Sequence, residues 1–519
     1  MAKNVELMGA VFPDCPAVML PTHEGPLARF TDVSDSQAVA ADVAQGKAFY
    51  LADGTKTTGT NQGGGGGGGG GGTIKPNARL VLIDYDGSIV DSYTQSEINA
   101  LSALPANPDH SGDEIPLTSQ GWNWTLTEIR EQLAAMPEQV VYVGQMYIPT
   151  DGKTHIVIYI PPDTPESRRT MTVRFTQSVS RGVAVNWGDA TPEETYTGTT
   201  EANHDHTYAG TGWFDITLEV MSGNIRFVGS SSTNMFGQTS GELHAIKKLR
   251  VKSLRFGAGL ATNAIYTRAL EESDNLETVT IPNMALTIGA RCFYSCDQLK
   301  SITFPRGVDV SAANIFYQAL GLESVSIPAG VTSIGGSLFY GCNSLEKVTI
   351  PKTVTTIGAN AFSAVYHIKH LIIPAGVTSI GTNAFSQMRG LNKVTIQNGV
   401  TIIPQQAFMT SPLLQTVELP ESITTIDTQA FKSSPVIMNI TIPKNVTSIA
   451  ASAYMGVQAA SVHLKPTTPP TLANSNAFSS VASDCVFYVP YSDDHSILAA
   501  YQAATNWSTY ASRMVEEAE

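Results

Sequence analysis

A step of 23 residues from Phe293 lands on Phe316, Phe339, Phe362, Phe385, Phe408, Phe431 and Tyr454, eight aromatic residues without a slip. Amphipathic helices and ordinary sheets do not keep such a step, whereas a stack of equal coils does. Proline keeps it at 282, 305, 328, 351, 374, 420, 443 and 466, with Gln397 in the missing place, and threonine keeps it at 332, 355, 378, 401, 424 and 447. A single coil is too short to bury its own apolar side and must use its neighbours. A solenoid of this kind offers an extended surface for binding rather than a site for chemistry.

Within one unit the order Leu345, Val348, Ile350, Pro351, Val354, Ile357, Gly358, Ala361, Phe362 defines the parts of the coil. Val348 and Ile350 alternate as the buried face of a short strand, and Pro351 closes it because proline has no N–H for a further ladder bond. Val354 to Ile357 form a second extended stretch and Gly358 turns the chain. Ala361 and Phe362 then open a short helix or tight turn that carries the ring inward.

These columns resemble the BspA-like class of leucine-rich repeats over residues 245 to 519, including the Tyr-x-Cys-x-x-Leu phase at Tyr294, Cys296, Leu299 and again at Tyr340, Cys342, Leu345. Inward positions follow from packing. The outward positions of the first strand form a hydroxyl-rich face: Thr278 and Thr280, Ser301 and Thr303, Ser324 and Ser326, Lys347 and Thr349, His370 and Ile372, Lys393 and Thr395, Thr416 and Glu418, Asn439 and Thr441. Serine and threonine suit a solvated strand on propensity alone. The basic residues Lys347, His370 and Lys393, with Thr349 and Thr395 beside them, are the candidates for hydrogen bonding a glycan or another surface polymer.

The net charge of -14 and pI near 5.2 argue against nucleic acid or an anionic membrane as the main partner. Five cysteines, an odd number, imply no disulfide framework. Cys296 and Cys342 share a phase two coils apart, about 10 Å by strand spacing, beyond bridging distance, so burial as thiols is expected. The first residues contain no apolar signal region and no stretch reaches the ~20 apolar residues of a membrane span, so membrane insertion is not expected. No G-x-S-x-G, H-E-x-x-H or P-loop is present, and no cofactor, metal site or enzymatic activity is expected.

Ahead of the solenoid, ten consecutive glycines at 63–72 read as a tether, with packed extended glycine strands as the rarer alternative. Residues 1–62 then form an N-terminal module. Its Ala38 to Thr60 stretch reads as a short helix and a hairpin turning at Asp53-Gly54, and resembles a motif of tail and fibre proteins of phages of Gram-positive bacteria. Residues 73–152 form a small α+β unit: strands at Leu80 to Tyr85 and Ile89 to Tyr93, and helices opened by the capping boxes Thr94/Glu97 and Thr125/Glu128. Asp84 and Asp86 there are explained by turn chemistry. Residues 153–229, with strands at Ile156 to Ile160, Met171 to Phe175, Val183 to Trp187 and Phe214 to Val220, resemble a PKD-type immunoglobulin-like sandwich through Trp187-Gly188-Asp189, His206-x-Tyr208 and Gly212. Ala190 and Phe214 depart from that pattern.

After Pro466 the period slips to Phe478, and residues 467–519 are expected to cap the last coil of a solenoid running from 230 to 466. Phe487 to Pro490 and Tyr501 to Ala511 resemble the segment that closes BspA-like repeats, and Trp507 and Tyr510 are expected to stand exposed at the tip. The fold class is thus mainly β and multidomain, with a BspA-like solenoid of 23-residue period preceded by a PKD-type sandwich and an α+β module. Taken together the resemblances imply a non-enzymatic virion tail fibre or receptor-binding protein. It would meet a bacterial surface polysaccharide or protein, attach to other virion tail or baseplate proteins through its N-terminus, and form homo-oligomers, trimers included. A bacterial BspA-like cell-surface adhesin and a purely structural virion spacer are the alternatives.

Overall fold

The computed structural model describes residues 72–229, 234–236 and 251–517, together with six short strands before residue 59. The chain divides into two compact units, Met1–Gly71 and Gly72–Glu519. In the first, Val5–Leu7 pairs with Ala10–Phe12, Ala17–Thr22 with Gly25–Thr31, and Ala48–Tyr50 with Lys56–Thr58, all antiparallel. The last pair is the expected hairpin. Its Asp53-Gly54 turn, the short helix before it and glycines 63–71 lie outside the described residues.

In the second unit, the α+β module carries a four-stranded sheet in the order Ile89–Tyr93, Leu80–Ile83, Val141–Pro149, Leu117–Trp122. Both helices, Gln95–Ala100 and Leu126–Ala135, begin in complete capping boxes at Thr94/Glu97 and Thr125/Glu128. In each the threonine oxygen takes one orphan N–H and the glutamate returns to the cap N–H, so two unsatisfied donors are met at once. Ile129 and Leu133 seat the second helix on Leu80, Leu82, Val141 and Val143.

Two sheets form the sandwich. One runs Glu194–Thr195, Val183–Asn186, Gly212–Val220, Thr154–Ile160, and continues into Val251–Arg255 and Thr278–Thr280. The other runs Ala202–Thr207, Thr170–Gln177, Ile225–Phe227, Leu260–Ile265. Each sheet therefore ends in strands of the first coils, and one hydrophobic cluster continues from Ile156 in the sandwich to Met514 at the far end. The sandwich is the N-terminal cap that a solenoid requires.

Coils stack in parallel and in register at the sequence period: His370↔Lys393↔Thr416 on the first strand, Thr356↔Ser379 and Thr425↔Ser448 on the second. Phe362, Phe385, Phe408, Phe431 and Tyr454 stack with ring centroids 5.0–5.6 Å apart. The segment around each ring is a turn rather than a helix. Two left-handed residues four apart flank the ring, as Asn360 (φ 55°) and Ala364 (φ 58°) flank Phe362. Such residues are uncommon outside glycine. Here they aim successive N–H groups at the next coil: Asn360 at Thr382 O (3.0 Å), Phe362 at Ala384 O (2.8 Å), Ala364 at Ser386 O (2.9 Å). Cys292, Cys296, Cys342 and Cys485 are buried free thiols.

At the far end, helix Ser496–Ala503, the 3-10 turn Trp507–Arg513 and the strand Met514–Glu516 close the last coil. Trp507 is fully buried and donates to Pro470 O at 2.7 Å, and Tyr510 is 3% exposed with its hydroxyl on Ser475 O. The expected exposure of these two residues is therefore corrected. An aromatic with one polar atom closes an apolar core well when that atom finds a carbonyl.

Candidate binding surface

On the first-strand face, main-chain N–H groups donate to the carbonyl 24 residues earlier: Ser324 to Lys300 and Thr416 to Asn392. By that rule Pro328, Pro351 and Pro374 should serve the carbonyls of Phe304, Ile327 and Ile350, and having no N–H they cannot. The α+β module supplies the missing donors. Asn123 Nδ2 donates to Phe304 O (3.0 Å), Trp124 Nε1 to Ile327 O (2.8 Å) and Gln132 Nε2 to Ile350 O (2.9 Å). Where the column breaks, the Gln397 N–H reaches Ile373 O (3.0 Å), and its side-chain amide turns to the module and donates to Ala135 O (2.7 Å) at a helix end.

Hydroxyls of the same face join the contact. Ser326 Oγ accepts from Gly144 N (2.8 Å), and Thr349 Oγ1 accepts from Tyr142 N (2.9 Å). The two backbones approach so closely that a Cβ on Gly144 would collide with the Thr303 side chain. Arg306 grips Glu128 through two nitrogens (2.9 and 2.7 Å), and Lys352 meets Glu131 at 2.8 Å. Burial works against the Glu128 carboxylate, but Arg306 and Thr125 hold it below its usual range.

Thr349, at 0% exposure, is consequently inaccessible to any external ligand. Lys393 lies between Glu138 (3.0 Å) and Glu418 (2.9 Å), and hydrogen bonds to Glu418 and Glu138 raise its pKa. Burial, with Lys393 nearby, lowers that of His370. Thr395 donates to Glu418 at 2.8 Å, and Lys347 stands half-buried. Within the predicted basic patch, Lys393 is thus paired with Glu138 of the module and Glu418 of the solenoid, and Glu138 also reaches His370 at 4.0 Å. A cleft of about 240 Å³ remains where the module lifts away, lined among others by Glu138, Tyr142, Glu346, Lys369 and His370.

Beyond Lys393 the face is open. Thr416, Glu418, Asn439 and Thr441 are exposed, and Ser461, His463 and Tyr488 continue the row. Pro420 and Pro443 leave the carbonyls of Ile396 and Leu419 without a ladder donor, as their counterparts do under the module.

A residue set that sequence reasoning missed lies inside the module contact. His110 Nε2 meets Asp84 at 2.9 Å, its Nδ1 meets Asp113 at 3.0 Å, and Arg255 of the first coil covers the Tyr85 ring at 4.5 Å. Burial pulls the His110 pKa down, but the two carboxylates outweigh it and raise it; burial pushes Tyr85 up to about 12. Asp84 is therefore half of a buried ion pair as well as a turn residue. Among the described residues no group of three His, Cys, Asp or Glu side chains could hold a metal, and in the sandwich His206 is paired with Asp189 at 2.7 Å.

The family description "BspA type Leucine rich repeat region" matches residues 263–391 and 356–483, in 6 copies. The solenoid is built of BspA-type leucine-rich repeats. Among solved structures, a leucine-rich repeat protein from Bacteroides ovatus is 20% identical over 49% of this chain and 75% of its own (TM-score 0.32). A leucine rich cell surface protein from Faecalibacterium prausnitzii is 24% identical over 45% and 84% (TM-score 0.24), and a T. pallidum leucine-rich repeat protein 19% over 39% and 72% (TM-score 0.25). No curated protein matches the sequence. Among the described residues no helix is long and apolar enough to cross a membrane.

Proposed function

We infer that this protein is a non-enzymatic adhesive protein that holds a macromolecule of a bacterial surface on the open half of its leucine-rich-repeat sheet, in the manner of a BspA-like cell-surface adhesin. One observation carries the reading. Both ends of the solenoid and half of its face are sealed by the chain itself, and the remaining half presents exposed hydroxyl, amide and carboxylate groups beside two carbonyls that proline has freed. Under the module such carbonyls are met by side-chain donors at 2.8–3.0 Å. Several copies on one surface would turn weak single contacts into firm attachment.

The test is saturable binding of the labelled full chain to intact bacterial cells, repeated with Pro420→Gln. That substitution restores an N–H for Ile396 O, as Gln397 does for Ile373 O, and adds a side chain to the open face. Reduced binding with unchanged stability is expected, whereas no binding to any cell type would sink the reading.

A second reading, a virion fibre that delivers the same surface to a host cell, is favoured by the resemblance of residues 38–60 to phage tail proteins and by the division of the chain at Gly71, within the glycine run. Antibody labelling separates the two: decoration of cells supports the adhesin, decoration of released particles the fibre.

A further inference from the structure

We propose that Trp213 and Tyr159, on the outer face of the sandwich, form a second binding site that takes a neutral sugar ring. Trp213 is 60% exposed, the highest among the described aromatic residues. It sits directly opposite Tyr159 across neighbouring antiparallel strands, with ring centroids 4.8 Å apart and planes inclined at 43°. The inclination makes two walls of a shallow notch rather than one flat patch.

The sheet needs neither ring for its core. Ile158, Ile160 and Ile216 fill the inner side of the same strands at 0% exposure, while Tyr159 and Trp213 project outward. Cross-strand aromatic pairs add some stability to a sheet, but an indole left mostly in water forgoes most of the burial that makes tryptophan worth having in a fold.

Aromatic faces carry negative charge density that attracts polarised C–H groups. A pyranose ring with equatorial hydroxyls offers such C–H groups on its flat faces and hydroxyls on its rim. Rim partners stand on the same outward face: Asp215 lies two residues beyond Trp213, and Ser253 pairs with Val157, which lies opposite Asp215. Asp215 is held by His155 at 2.7 Å, and His155 by Asp151 at 3.1 Å. Asp215 thus offers a carboxylate acceptor on that face, which suits the rim hydroxyls of a neutral sugar better than the anionic group of a uronic acid or a phosphorylated sugar. The face also continues, through Ser253 and its partner Thr278, toward the solenoid sheet, and ends where Tyr85 of the α+β module covers Arg255.

The experiment measures binding of the full chain to β-1,4-linked hexamers of N-acetylglucosamine and of glucose, with polygalacturonate as the acidic control, by calorimetry and by tryptophan fluorescence. At least one neutral hexamer should bind and polygalacturonate should not. Trp213→Ala and, separately, Tyr159→Ala should each weaken binding by roughly tenfold or more, equivalent to about 1.4 kcal/mol, while Trp213→Phe retains part of it. Undiminished binding in both alanine variants, or no binding of either hexamer by the unmodified chain, overturns the proposal. Because the probes are purified oligosaccharides, failure here is distinguishable from failure of cell attachment through the solenoid face.

Discussion

The first-strand face of the solenoid is one repeated pattern with two fates. At Ser301–Thr303 and Ser324–Ser326 every residue is buried, while at Thr416–Glu418 and Asn439–Ile442 the outward residues stand exposed. The strands keep the same phase of the coil, the same polar outward positions and the same closing proline. What differs is the module, which finds on the first half a row of carbonyls stripped of donors and fills it with Asn123, Trp124 and Gln132. Proline thus has two consequences in this protein: it ends each strand, and it opens an acceptor that another element can use. The comparison teaches that a polar sheet face is a docking surface wherever a partner supplies matching donors, and a solvated one elsewhere.

The largest break in that comparison should come from Trp124→Ala, which removes a side chain 2% exposed together with its bond to Ile327 O. A loss of about 3–5 kcal/mol is expected in denaturant unfolding, with faster hydrogen exchange at Ser324 to Ser326 and none at Asn439 to Ile442. Making the proline column regular with Gln397→Pro removes the N–H to Ile373 O, the amide N–H to Ala135 O and the amide oxygen that accepts from Ala375 N. At about 1 kcal/mol for each bond it should destabilise by about 3 kcal/mol, and the same denaturation series checks it. Gly144→Ala should cost about 1–3 kcal/mol, because the new methyl meets Thr303 where the backbones are closest.

A smaller effect depends on pH. The His110 pKa is raised in the folded state by Asp84 and Asp113 against the pull of burial, so its stabilising contribution is complete below the ordinary histidine value of about 6.5 and fades as pH rises through the raised one. Unfolding free energies of the parent and His110→Gln, measured from pH 5 to 9, should converge toward the alkaline end. Asn439→Ala on the open half should change stability by no more than about 0.5 kcal/mol while still reducing cell binding. If it destabilised as much as Gly144→Ala, the two halves would not differ in the way described.

Much of the solenoid and the helix starts of the module were legible beforehand because their information is local or repeated. The Phe column, the closing prolines, the buried cysteines and both capping boxes each rest on neighbours a few residues away or on the same residue one coil on. Gln397 was visible as an exception but had no explanation in sequence, since its purpose lies at Ala135, far away along the chain. Thr349, Lys393, Trp507 and Tyr510 were read as accessible because their types suit a surface, and their partners come from distant segments that no periodicity announces. The His110 cluster was missed for a related reason: Asp113 is only three residues away, but Asp84 reaches the other ring nitrogen only once the sheet has formed.

The sequence by itself determined the coil, its period, the inward column and the ends of the strands, because stacking identical units makes each residue its own neighbour's template. Only the tertiary structure decided which half of the polar face is covered and which is free. That choice depends on the α+β module folding back onto the first coils, where shape, with Gly144 against Thr303, and unpaired carbonyls opposite amide and indole donors coincide.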